Sequence, residues 1–142
     1  MWGNAGSSAR GAIAATMAAV LGTGCDLSGY WEPDDELCGL RVKWNGQGDR
    51  ASLCPEVEAC RSALGYAFEG AAVEFVADLV PTCLREHVAG CYTPEFDHIY
   101  LARTDRIGDT ALCHELLHRA LSEERDGDPD YAHRDPLWRS LP

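Results

Sequence analysis

Positive charge is what this sequence has least of: 12 Lys and Arg stand against 23 Asp and Glu, a formal net charge of -11 over 142 residues. So acidic a surface repels a phosphate backbone, and no cluster of basic residues relieves it, which excludes nucleic acid as a partner. Long hydrophobic runs are missing too. The apolar stretch "GAIAATMAAVLGTG" (Gly11–Gly24) is roughly fourteen residues, short of the about twenty that cross a bilayer as a helix. Internal repeats are absent and the length suits a single modest core, so neither a solenoid nor a second domain is expected.

What is present begins with an address. Met1–Arg10 is polar with one positive charge and is followed by that short apolar run, the layout of a secretory signal peptide over residues 1–24. The run ends "VLGTGC", which resembles a bacterial lipobox, where a small residue precedes a cysteine that becomes lipidated. Cys25 is then the lipidated residue. The expectation is export to the bacterial cell envelope, with membrane contact through the lipid anchor only, or plain secretion after cleavage. Residues 25–36, "CDLSGYWEPDDE", read as an acidic tether, and 37–142 as the folded domain.

Seven cysteines are many for this length. Setting Cys25 aside leaves Cys38, Cys54, Cys60, Cys83, Cys91 and Cys113, an even set that suits three disulfides in an exported small domain. Cys83 and Cys91 bracket a short segment and are the first pair expected. Cys113 precedes His114 directly, but adjacent positions on a helix diverge by about 100 degrees, so its sulfur points away from whatever His114 binds. It shares a face with Leu117 and Leu121 and is expected to bond to the Cys38 strand or the Cys54–Cys60 helix.

Hydrophobic periodicity gives an α+β domain. Leu40, Val42 and Trp44 alternate with Arg41 and Lys43, which predicts a strand over 37–45. Pro55 suits a first helical position, and Val57, Cys60, Leu64 and Phe68 recur at helical steps, predicting a helix from Pro55 to near Gly70. Strands are expected at 71–80 and 96–104, and a second helix over Thr110–Glu124 with Asp109 as its N-cap. Two main helices on a small mixed or antiparallel sheet, stapled by disulfides, follow from that order.

The chemistry sits in "LCHELLHRAL" (Leu112–Leu121). His114 and His118 are four apart, so both imidazoles leave one face of a helix and can share one ion. With Glu115 between them this is the H-E-x-x-H arrangement, in which the glutamate activates a zinc-bound water and carries its proton to the leaving amine. A zinc hydrolase needs a third protein ligand and an open position. "RDGDPDYAHRDPLW" (Arg125–Trp138) can supply it through His133, with Asp128 or Asp130 as the carboxylate alternative. "DGDPD" lacks the central glycine and closing glutamate of a calcium loop and reads as a solvated turn. Tyr131, Arg134 and Tyr100 are candidate donors to a developing oxyanion. His87 and His98 lie outside the motif, and Glu123 reads as an exposed helix charge.

"HELLH", a gap, then "HRDPLW" resembles the SprT-like, Spartan-type zinc metallopeptidases over roughly the last 30 residues. The resemblance implies a minimal zincin-like core with His114, His118 and His133 as zinc ligands, Glu115 as general base, and Trp138 as the aromatic behind the returning loop. Ala132, Arg134 and Asp135 stand where that family tends to have glycines. Export, cysteines and acidity disagree with DNA repair, so only the metal chemistry carries over. The expected function is an exported zinc metallopeptidase acting on a peptide or protein substrate; the alternative is a non-catalytic envelope lipoprotein that zinc and disulfides merely staple. Strand 96–104, just before the metal helix, is the edge on which a peptide is expected to lie.

Overall fold

The structure, a computed structural model, describes residues 31–78, 83, 89–102 and 111–142. Residues 1–24, where a signal peptide is expected, and Cys25, His87 and Asp109 lie outside the described residues. Among the described residues, five strands form one mixed sheet, with two main helices packed on it. The α+β expectation holds, and three disulfides staple it: Cys38–Cys54, Cys60–Cys113 and Cys83–Cys91.

The strand expected over 37–45 is a hairpin instead. β1 (Asp35–Leu37) and β2 (Leu40–Lys43) pair antiparallel because Cys38 (φ 47°) and Gly39 (φ 78°) both take the left-handed conformation that a two-residue hairpin turn requires. Asp35 and Glu36, expected in the tether, are strand residues. Asp35 accepts from the Trp44 indole at 2.6 Å and from Arg50 at 2.7 Å.

α1 (Arg50–Leu64) starts five residues earlier than Pro55 suggested. Asp49 is the cap, its carboxylate accepting from Ala51 N–H at 3.0 Å, and Pro55 sits inside the helix. The absent N–H costs α1 one early ladder bond, at a turn that Cys54 ties to Cys38. The helix also ends before Gly70: Gly65 takes φ 78° and returns its N–H to the Arg61 carbonyl at 2.8 Å. Phe68, which continued the apolar period, reaches the core from the loop beyond.

β3 (Ala72–Val76) lies parallel to β2 on one side and to β5 (His98–Ala102) on the other. β4 (Gly90–Thr93) pairs antiparallel with β5 and closes that side of the sheet. β5 is therefore interior, and the edge beside the metal helix is β4, a strand the sequence did not announce. Leu40, Val42, Val73, Ile99 and Leu101 meet Val57, Leu64, Leu116, Leu117 and Leu121 of the helices in one buried cluster. Alternation puts Glu74, His98 and Tyr100 on the opposite face, where His98 lies 3.2 Å from Glu74 and its ring 4.4 Å from that of Tyr100.

α2 (Ala111–Glu124) carries the metal motif and is almost wholly inside the fold. Cys113 bonds to Cys60 of α1, which answers the choice left open for it. Arg119 is buried and reaches Asp97, at the β4–β5 turn, through two nitrogens at 2.9 and 3.1 Å. Helix and edge strand are thereby held in fixed register.

Candidate metal centre

Three imidazoles converge where α2 meets the loop that follows it. His114 and His118 project from successive turns of α2, and Gly127 (φ 93°) helps turn the chain back so that His133 arrives opposite. The His118 Nε2 atom stands 3.2 Å from His114 Nε2 and 3.3 Å from His133 Nε2, and one ligand atom from each residue falls within 4.8 Å of the others. Two nitrogens bound to one zinc at about 2.0–2.1 Å in tetrahedral geometry stand roughly 3.3 Å apart, which is the spacing of the two pairs about His118. This cluster could hold a metal ion.

The donor chemistry fits as well. His118 is buried, and its Nδ1 lies 2.6 Å from the Pro129 carbonyl, which can only accept. The proton therefore sits on Nδ1 and the Nε2 lone pair faces the centre, the arrangement that outer hydrogen bonds impose on metal-binding histidines. Burial, then the neighbouring His118 and His133, holds His114 down at about 4, so it is neutral and ligand-ready at pH 7.

One carboxylate organises the loop. Asp130 is buried and takes a positive φ of 53°. Its Oδ2 accepts from Asp135 N–H at 2.8 Å and from the Trp138 indole at 2.7 Å, while its carbonyl accepts from His133 N–H at 2.8 Å. The Asp135 N–H first, then the indole, the Arg134 N–H and Arg125, hold this carboxyl at about 2 against the opposing effect of burial. Asp128 accepts from Asp130 N–H at 2.9 Å. Neither aspartate belongs to the histidine group, and both have structural partners instead. Trp138 lies against all three imidazoles, its ring centroid 4.9, 4.6 and 4.3 Å from those of His114, His118 and His133.

Glu115 is buried on the strand side of α2. A Cβ built on Gly90 would come within 2.9 Å of the Glu115 Cγ and 3.2 Å of Oε1, so glycine is what lets β4 pass this close. Of the three candidate oxyanion donors, Tyr131 is at the centre, its ring 5.1 Å from that of His118 and its hydroxyl donating to the Tyr92 carbonyl at 2.9 Å. Arg134 is exposed beside His133, and Tyr100 is on the far face of the sheet, the core between it and α2, which removes it from the site. His98 is on that face as well, apart from the cluster. Glu123 is exposed and pairs with Arg119 at 2.8 Å.

Sequence reasoning missed Asp130 as an organiser, Gly90, and the Arg119–Asp97 tie. Gly90 alone carried a signal, since a glycine within a strand marks a close approach. Compared with models of protein families, with curated proteins and with solved structures, the chain matches none. No helix among the described residues is long and apolar enough to cross a membrane.

Proposed function

We propose that the protein is an exported, lipid-anchored zinc metallopeptidase related in its metal chemistry to the SprT-like group. The observation that carries this reading is the spacing of the three imidazole nitrogens, 3.2 and 3.3 Å about His118, with Glu115 on the same helix. Zinc held there supplies Lewis acidity to a peptide carbonyl and lowers the pKa of a water. Glu115, buried on the same helix, would take the proton from the attacking water and deliver it to the departing amine. His114, His118 and His133 would hold the ion, with the Trp138 ring packed against all three imidazoles. Three disulfides support an oxidising compartment, and hence export.

The peptide lies along β4, not β5. Ala102 N–H donates to the Ala89 carbonyl at 2.9 Å, so with Gly90 opposite Leu101 and Tyr92 opposite Ile99 the backbone groups of Gly90 and Tyr92 turn away from β5. An extended chain can add there as a further strand.

The test is metal content and peptide hydrolysis of the oxidised protein from Asp26 onwards. One zinc per chain is expected, lost or sharply weakened in His133→Ala. Glu115→Gln should keep the zinc and lose hydrolysis by a factor of roughly 100 or more, the scale of a positioned acid–base group. If Glu115→Gln leaves function intact while zinc removal lowers only the melting temperature, the alternative of a zinc- and disulfide-stapled binding lipoprotein stands instead.

A further inference from the structure

The β4 edge is not open along its whole length. Of the outward-facing backbone groups at Gly90 and Tyr92, the Tyr92 carbonyl already accepts the Tyr131 hydroxyl at 2.9 Å. A peptide strand adding to this edge, in either direction, needs that carbonyl to take an N–H from the residue seated beside Tyr92. Tyr131, its hydroxyl 2.9 Å from that oxygen, competes with such an N–H for it. Its position is fixed from both sides, by the edge strand through the hydroxyl and by the His118 ring 5.1 Å away. The loop that bears His133 therefore meets this edge at Tyr92, while at the Gly90 end it is Glu115 of α2 that lies alongside.

We propose that Tyr131 is a specificity-determining residue that ends the peptide groove at Tyr92, so that the substrates are peptides with a chain terminus, or at most a short overhang, on the Tyr92 side of the metal. This rests on the peptidase reading. The enzyme is thus a trimmer of peptide ends, and a segment that continues past Tyr92 as a strand is refused. Recognition comes from main-chain bonds to Gly90 and from the truncated groove.

A series of zinc-loaded assays tests this, with peptides sharing one scissile sequence and extended step by step on either side. For the parent, kcat/KM should fall sharply with extension on one side alone. Tyr131→Phe frees the carbonyl and Tyr131→Ala also clears the space, so the ratio of kcat/KM for extended over short peptides should rise about tenfold in at least one of them, the scale of one hydrogen bond. The proposal is overturned if the parent cleaves peptides of all lengths alike or if neither variant changes the ratio. A uniform loss of kcat at every length also overturns it and makes Tyr131 an oxyanion donor. If parent and variants bind zinc but cleave nothing, the peptidase reading itself falls, an outcome distinct from the others.

Discussion

At the residue scale, the site depends on a residue that binds no metal. Asp130 joins the His133 turn, the Trp138 indole and the Asp135 N–H through one side chain and its own carbonyl. Asp130→Ala should leave the ligands in place but unsupported, weakening metal affinity by about 10–100-fold, as loss of an outer hydrogen-bond partner does elsewhere. Competition against a chromophoric chelator measures this directly, and unchanged affinity would demote Asp130 to a loop residue. The histidine cluster itself was legible because histidine four apart from histidine is informative before any fold is known. Asp130 was not, because its role depends on a left-handed backbone that aspartate tolerates without demanding it.

At the scale of elements, α2 was readable almost to the residue, since the motif and its apolar neighbours share one period. α1 was misplaced at both ends. Pro55 looked like a first position, yet Asp49 offers the cap and the helix absorbs the proline, while Phe68 kept the apolar period going past a glycine that had already closed the helix. β4 was missed because "GCYT" is only four residues long and opens on a glycine, too short to show an alternation although Tyr92 and Thr93 favour strands, and it forms by pairing with β5. What joins these elements is a covalent link as well as burial. Replacing Cys60 and Cys113 together by alanine should cost about 2–5 kcal/mol in denaturant unfolding, because the bond closes a loop with a sequence separation of 53, against 8 for Cys83–Cys91, whose loss should cost less. Equal losses for the two pairs would contradict this ranking.

At the scale of the whole molecule, acid should act on the metal-free protein in two stages. His114, held at about 4 by burial and then by its two neighbours, binds fewer protons folded than unfolded as pH falls below its ordinary 6.5. Stability therefore declines from about pH 6.5 towards 4, and His98, also lowered by burial, adds in the same direction. Asp130 has its carboxyl lowered from 3.8 to about 2, so its contribution is present above pH 3.8 and is lost as pH falls towards 2. Thermal unfolding of the metal-free protein across pH 7 to 2 should show a continuous fall with no acid-side maximum. A melting temperature that rises on acidification from pH 6.5 to 4 would refute the assignment.

The Cys60–Cys113 bond has a consequence for how the protein matures. Small zinc modules often cannot fold until the ion arrives, because nothing else positions the ligands. Here the helix bearing His114 and His118 is bolted to its neighbour one residue before His114. The disulfide, together with the Asp130 bonds that hold the His133 turn, brings the three imidazoles together without an ion, so oxidation alone can finish the scaffold. On the zinc reading proposed above, loading and unloading would then be local, repeatable events that leave the fold in place.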